Sequence, residues 1–230
     1  MLYSQWEDIY YKIVDDLKLD IKLDEKAAEV LQYLLYSRSL VPPSEIKELI
    51  EGREVVIFGA GESLLNSIRN NKSIISRSVK ITADGATTAL LENNMEPDII
   101  VSDLDGRVLD QIYANNNGSI MIVHAHGDNI DKLYTYVPLF KGDVFGTIQV
   151  NPDNFSLLHN YGGFTDGDRA VFLADHFKAK KIYLLGFDPP YKIGRYSFTD
   201  KKNIELKRKK LEWCYYLINQ LDNDSIRFIR

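Results

Sequence analysis

Cysteine is nearly absent from this chain: Cys214 stands alone among 230 residues. That excludes an intrachain disulfide and a Cys-rich zinc site, and Cys214 itself falls in an apolar helical pattern that reads as packing. Basic charge is not in excess either. The sum of 28 Lys and Arg against 33 Asp and Glu is −5, so no global positive field argues for a nucleic-acid partner. No apolar run approaches the length that spans a bilayer. The opening residues Met1–Asp8 show no basic region followed by an apolar one, so no secretory leader is expected. A cytoplasmic protein without a nucleic-acid or membrane partner is the expectation. What is present is ordinary for a globular chain: 45% hydrophobic and 27% charged residues, and enough length for one sizeable domain or a domain with a small appendage.

Residues 1–52 read as a helical segment. Trp6, Ile9, Tyr10, Ile13, Val14 and Leu17 fall at helical spacing. Asp24 is expected to cap a second helix carrying Ala28, Leu31, Leu34 and Leu35, and Ser44 a third that stops at Gly52. Their apolar stripes suit packing on the main domain or on another subunit, which would make a homodimer. From residue 53 onward the pattern changes to short apolar runs alternating with helical stretches. Val55–Phe58, Val79–Thr82, Ile99–Val101, Ile120–Val123 and Ile182–Leu185 read as buried strands, with Val144–Ile148 a weaker candidate. Helices are expected at Leu64–Asn70, Thr87–Asn94, Asn129–Val137 and Arg169–Phe177, and a last amphipathic one through Leu211, Cys214, Leu217 and Leu221. This is the pattern of an α/β domain over residues 53–230, a Rossmann-like, doubly wound, mostly parallel sheet closed by a C-terminal helix.

Ligands bind such sheets at the carboxyl ends of the strands, and the polar residues of this chain collect there. Ser102-Asp103-Leu104-Asp105-Gly106 follows the third strand. If the strand continued through them, Asp103 and Asp105 would project to one side, as a like-charge pair that a hard cation such as Mg²⁺ would relieve. A polar turn with capping carboxylates is the plainer reading. Gly59-Ala60-Gly61-Glu62-Ser63-Leu64 follows the first strand and opens a helix, where backbone N–H groups favour phosphate. It is neither a full G-x-G-x-x-G nor a Walker loop. Asp84-Gly85 ends the second strand, as a third acidic group or a helix cap. His124-Ala125-His126-Gly127-Asp128 ends the fourth. Its two imidazoles suggest a transition metal less than a polar role for His126 beside a magnesium site that Asp128 joins. Gly163-Phe164-Thr165-Asp166-Gly167-Asp168-Arg169 opens a helix with more polar groups than a cap requires, so Thr165, Asp166, Asp168 and Arg169 are candidates to hold phosphate oxygens. The lysines at 201, 202, 207, 209 and 210, with Arg208, form either a solvated helix face or a cover over phosphates. In the second case Arg195 and Tyr196–Asp200 would form a lid.

Ala83-Asp84-Gly85-Ala86, Pro97-Asp98-Ile99-Ile100-Val101-Ser102-Asp103-Leu104-Asp105 and His126-Gly127-Asp128 together resemble the motif order of thiamin pyrophosphokinases. The Gly59-x-Gly61-x-Ser63-Leu64 turn and Gly163–Arg169 are closer to a related family, the archaeal-type 6-hydroxymethyl-7,8-dihydropterin pyrophosphokinases. That family also has a helical N-terminal segment and a Lys-rich C-terminal helix. The resemblance runs from about Val55 to Phe177. Ser102, Gly106 and His126-Gly127 depart from the thiamin pattern and weigh against thiamin as acceptor.

The resemblance implies a Mg²⁺-dependent enzyme that moves diphosphate from ATP to the hydroxymethyl group of a reduced pterin and releases AMP. It implies that Asp103, Asp105 and Asp128 hold the metal, with Asp84 completing the acidic cluster. Gly59, Gly61, Ser63, Leu64, Asp84, Gly85, Thr165, Asp166, Asp168 and Arg169 would line the ATP and phosphate site, and His126 would be the base if one is used. Three other readings stay open at this point. A thiamin pyrophosphokinase would turn over thiamin, a nucleotide-sugar glycosyltransferase would need a sugar donor, and a non-catalytic nucleotide sensor would bind without turnover.

Overall fold

The computed structural model describes residues 3–188, 192–198, 204–221 and 223–229. Lys201, Lys202, Thr199 and Asp200, named above, lie outside the described residues. Three helices come first: α1 (Tyr3–Leu17), α2 (Ile21–Leu35) and α3 (Pro43–Ile50). Asp20, not Asp24, caps α2, with its side chain accepting the Lys22 N–H at 2.9 Å. Asp24 lies one turn inside and is buried. Pro42 occupies the cap position of α3 and Ser44 falls in its first turn, because Pro43 presets the backbone angle of a first helical residue and lacks only an N–H that would be unused there.

The remainder alternates as expected: β1 (Glu54–Phe58), α4 (Leu64–Asn70), α5 (Lys72–Arg77), β2 (Val79–Ala83), α6 (Ala86–Glu92), β3 (Ile99–Ser102), α7 (Val108–Asn116), β4 (Ile120–Ala125) and α8 (Ile130–Tyr136). Then follow β5 (Val144–Ile148), β6 (Leu158–His159), α9 (Asp166–His176), β7 (Lys181–Leu185), α10 (Ile204–Gln220) and β8 (Ile226–Ile229). Among the described residues the eight strands form one sheet in the order β6-β5-β4-β3-β2-β1-β7-β8, and every pairing is parallel. The chain walks outward from β1 to β6, then returns across the sheet through α9 to place β7 on the other side of β1. That reversal makes a crevice at the carboxyl ends of β1 and β7.

Strand side chains alternate between two apolar layers. Val55, Ile57, Ile81, Ile99, Val101, Ile122 and Ile182 pack with α3, α9 and α10. Val56, Phe58 and Leu185 pack under α4 to α6, while Ile100, Met121, Val123 and Val144 share a core with α1, α2, α7 and α8. Trp6, Tyr10, Ile13, Ala28, Leu31 and Leu35 are fully buried in that last core. The apolar stripes of α1 and α2 thus lie against this chain's own sheet, while Tyr11, Leu23 and Tyr33 stay exposed on these helices. No helix among the described residues is long and apolar enough to cross a membrane.

Candidate active site

A cleft of about 630 Å³ opens over the carboxyl ends of the strands. Its floor is acidic. Asp84 follows β2, Asp103 follows β3 and Asp166 begins α9, and one carboxylate oxygen from each lies within 4.8 Å of the others. Asp84 adopts a left-handed φ of +43°, uncommon for a residue with a Cβ and of the kind that tertiary contacts sustain at functional sites. Its Oδ1 accepts hydrogen bonds from Ser102 Oγ at 2.9 Å, the Gly106 N–H at 3.0 Å and Gln111 Nε2 at 2.8 Å. These bonds anchor the carboxylate within the floor, so it does not cap α6. Asp103 Oδ2 meets His126 Nε2 at 3.1 Å, and its backbone oxygen accepts Asn129 Nδ2 at 2.8 Å. Its Oδ1 is buried without a partner.

Asp103 and Asp105 do not face the same way. The third strand ends at Ser102, and Leu104 takes a left-handed φ of +66° with its side chain buried. That reverses the alternation on which the same-side expectation rested. Asp103 turns into the floor, with 20% of its side chain exposed, whereas Asp105 is 68% exposed and pairs with Lys132 at the rim. Asp128 is also at the rim, 72% exposed, on a short 3-10 turn over Gly127–Asn129. Asp84 stands in the acidic group as expected, and Asp166, expected in the phosphate wall, joins it, while Asp105 and Asp128 stay at the rim.

Electrostatics separates the three acids. Burial and the neighbouring Asp103 charge raise Asp84 above the usual carboxylate range. Asp166 is raised well above it by burial and by Asp103, against the pull of Arg169. Burial pushes Asp103 the same way, but the His126 hydrogen bond, with the charges of Arg169 and Lys210, brings it below the ordinary value. His126 is tied at both ring nitrogens: the Asp128 N–H donates to Nδ1 at 3.3 Å, so Nε2 carries the proton toward Asp103. A base with neither nitrogen free does not fit the expected role, and the ring holds Asp103 instead.

Four N–H groups of the Gly59–Leu64 turn are already engaged within the chain, although Gly59 and Gly61 border the cleft. The Gly59 N–H donates to Leu185 O at 2.9 Å, Gly61 to Gly186 O at 2.9 Å, Ser63 to Asp188 Oδ2 at 2.7 Å and Leu64 to Gly61 O at 3.3 Å. An internal carboxylate thus occupies the position foreseen for a phosphate. The glycines serve a close approach of β1 to β7: a Cβ at Gly61 would lie 2.3 Å from Asp188 Oδ2 and 2.4 Å from Gly186 O. Gly85 serves a second approach, since a Cβ there would lie 1.9 Å from Tyr196 O. Asp168 also leaves the site. Fully buried, it accepts the Phe164 and Thr165 N–H groups at 2.6 and 2.8 Å and the Thr165 hydroxyl, which makes it the third-residue partner of a capping box whose cap is Thr165. Thr165 borders the cleft through that cap. Arg169, 7% exposed, donates to Asp166 Oδ1 at 2.9 Å.

Cations face the acids. Lys207 and Lys210 of α10 border the cleft, as do Lys132 and Lys192, while Arg208 and Lys209 pair outside with Glu205 and Asp16. The basic run therefore does both things: one side of the helix covers the cleft and the other meets solvent. Phe187 and Tyr215 supply flat walls at the β7 end of the cleft, and Phe198 supplies one beside Gly85. Burial raises the Cys214 thiol well above its ordinary value, consistent with packing.

Sequence reasoning missed three residues here. Asp24 falls on the apolar stripe of α2 with Ile21, Ala28, Leu31 and Leu35, and a carboxylate at such a position signals a buried polar contact. Asp188 follows Leu185-Gly186-Phe187 at a strand end, the same pattern as the other motifs. Gln149 follows β5 and carries no distinguishing signal.

The chain matches the family model described as "6-hydroxymethylpterin diphosphokinase MptE-like" over residues 33–194. It is 45% identical to the 6-hydroxymethyl-7,8-dihydropterin pyrophosphokinase of Methanocaldococcus jannaschii, over 99% of each chain. It is 40% identical to the protein of that name from Methanothermobacter thermautotrophicus, over 98% of this chain and 97% of the relative. For that of Pyrococcus furiosus the identity is 39%, over 98% and 96%. Among solved structures, a glycosyltransferase of Magnetospirillum magneticum matches with 15% identity and a TM-score of 0.40 over 88% of this chain and 38% of the other, a likeness on which nothing rests. An acidic floor under a cationic helix, in a chain matched by these relatives from end to end, leads to one conclusion: the protein belongs to the MptE-like 6-hydroxymethylpterin diphosphokinase family.

Proposed function

We propose that this cleft transfers the β,γ-diphosphate of ATP to the hydroxymethyl oxygen of 6-hydroxymethyl-7,8-dihydropterin, giving AMP and the pterin diphosphate. The O–Pβ bond forms, the bond from Pβ to the oxygen bridging to Pα breaks, and the hydroxyl proton is released. Such a transfer needs in-line positioning and charge neutralisation more than a strong base, which accords with a site whose histidine is tied at both nitrogens. One observation carries the reading: three carboxylates from three elements converge beneath Lys207 and Lys210, and one buried oxygen, Asp103 Oδ1, has no protein partner.

That orphaned oxygen and the all-carboxylate donor set fit a hard divalent cation. Asp84, Asp103 and Asp166 would hold Mg²⁺, which when bound neutralises phosphate charge and orients the diphosphate. The chain's own groups do the rest. His126 and Asn129 fix Asp103, Ser102 and Gln111 fix Asp84, and Arg169 fixes Asp166. Lys207 and Lys210 offer charge to the triphosphate from above, and the aromatic walls suit flat heterocycles.

The test is AMP formation from ATP with 6-hydroxymethyl-7,8-dihydropterin, with thiamin, or with no acceptor, each with and without chelator. AMP is expected with the pterin and Mg²⁺ only. Turnover of thiamin in its place, or undiminished turnover in chelator, would contradict the reading.

A further inference from the structure

Asp24 sits on the buried stripe of α2 with 4% of its surface exposed, and no lysine or arginine pairs with it among the described residues. Its charge is held by three donors instead. The Tyr10 hydroxyl and Gln149 Nε2 donate to Oδ2, the latter at 2.7 Å, and the Gly127 N–H donates to Oδ1 at 2.7 Å. A buried charge satisfied in this way is strongly directional, because each donor must point at it.

That direction propagates. An amide has one donor end and one acceptor end. With the Gln149 donor end committed to Asp24, its Oε1 faces Arg169 and accepts Nη2 at 3.3 Å. Arg169 Nη1 then donates to Asp166 Oδ1 at 2.9 Å. Gln149 is 3% exposed and Arg169 7%, and Trp6 Nε1 donates to Gln149 O at 2.8 Å, so the relay is held in place and its polarity reverses only by a flip of the Gln149 amide. On its other side Asp24 holds the N–H of Gly127, the residue after His126, whose ring engages Asp103 at 3.1 Å. One carboxylate from the N-terminal segment thus grips the supports of two of the three acids. Tyr10 and Asp24 both precede the 33–194 span that the family model matches.

We propose that Asp24 is a positioning residue for diphosphate transfer: through Gln149 and Arg169 it sets Asp166, and through Gly127 it sets His126 and Asp103. The proposal rests on the function proposed above for its kinetic consequence, and on the hydrogen-bond chain alone for its structural one. With asparagine at 24, the Asn amide needs an acceptor where the carboxylate needed only donors. Gln149 turns to supply it and presents its NH₂ to the Arg169 guanidinium. Two donors then face each other, and Arg169 leaves Asp166.

The experiment compares Asp24→Asn, Gln149→Met and their double variant with Tyr10→Phe, each as the full chain shown by thermal melting to be folded at the assay temperature. Asp24→Asn and Gln149→Met are each expected to lower kcat about tenfold, and the double variant no further, because both cut one chain. Tyr10→Phe lowers the melting temperature but keeps kcat within about twofold, since the Gln149 relay survives it. A crystal structure of Asp24→Asn is expected to show the Arg169–Asp166 contact broken. If Asp24→Asn does not fold, Gln149→Met carries the same kinetic and crystallographic predictions. Unchanged kcat in the folded variants, losses that multiply in the double variant, a Tyr10→Phe loss equal to that of Asp24→Asn, or an intact Arg169–Asp166 contact would each overturn the proposal. A wild-type protein inactive on the pterin would instead overturn the proposed function, and the crystallographic comparison would still decide this inference.

Discussion

At the scale of the residue, one backbone angle decides which carboxylates share the floor. Leu104 at φ +66° separates Asp103 from Asp105, so the two differ in consequence when replaced. Asp103→Asn is expected to lower kcat/KM by about a hundredfold or more, the order seen when one preorganised charge-stabilising group is lost. Asp105→Asn removes an exposed pair with Lys132 worth about 0–1 kcal/mol and is expected to leave kcat/KM within about threefold. Steady-state kinetics on the two variants checks both. The D-x-D spacing was legible in the sequence, but the left-handed turn inside it was not, because Leu gives no local sign of positive φ. Gly61 teaches the reverse lesson. Its place in a glycine turn was legible, yet its purpose is the approach of Gly186 and Asp188, a partner 125 residues away from Ser63 in the chain. Gly61→Ala is expected to destabilise by about 1–3 kcal/mol, the usual effect of overpacking, measured by denaturant unfolding.

At the scale of the element, α9 shows how polar residues at one helix start divide their work. Asp166 faces the cleft, while Asp168 turns back onto Phe164 and Thr165. Asp168→Ala removes one half of the capping box that Thr165 heads and is expected to cost about 1–2 kcal/mol of stability, read as a lower urea midpoint. The long apolar strands β1 to β4 and β7 were legible because β-branched runs at sheet centres have a strong pattern. β6, at two residues, is too short for periodicity to register. β8 carries Arg227 and an exposed Phe228 at the sheet edge, where alternation weakens. α10 was legible as an amphipathic helix, but which of its lysines face the cleft depends on how it docks. Lys207→Ala with Lys210→Ala is expected to raise the KM for ATP about tenfold, with a weaker salt dependence than the wild type, whereas Arg208→Ala, outside the cleft, is not.

At the scale of the whole molecule, the acidic floor sets a dependence of stability on pH. Burial raises Asp84, Asp166 and Asp168 above their unfolded values. A carboxyl raised in the folded state binds its proton more tightly there, so its contribution is present at low pH and is lost as pH rises from about 4 through the raised value. Asp103, lowered by His126 and nearby cations against its burial, works oppositely and contributes stability that disappears only as pH falls through its depressed value. Burial also lowers His124, His159 and His176, which oppose the acids by losing stability as pH falls through about 6.5. The acid contribution is therefore isolated by comparing the metal-free protein with Asp166→Asn, in which the loss of stability between pH 5 and pH 8 is expected to be smaller. Added Mg²⁺ should recover more stability at the higher pH, where the acids it would meet are ionised. Melting curves across pH with and without Mg²⁺ check both. The division between a helical first fifty residues and an α/β remainder was legible from a change of period. That the first segment reaches into the site through Asp24 was not, because the contact with Gln149 spans 125 positions.

The most direct test of the account is where a divalent cation sits. Anomalous diffraction from crystals grown with Mn²⁺ and a non-hydrolysable ATP analogue locates it. A peak on the carboxylates of Asp84, Asp103 and Asp166, against the analogue's phosphates and beneath Lys207 and Lys210, is the result predicted here. A peak on Asp105 and Asp128 at the rim, or phosphates bound away from Asp103, would contradict it.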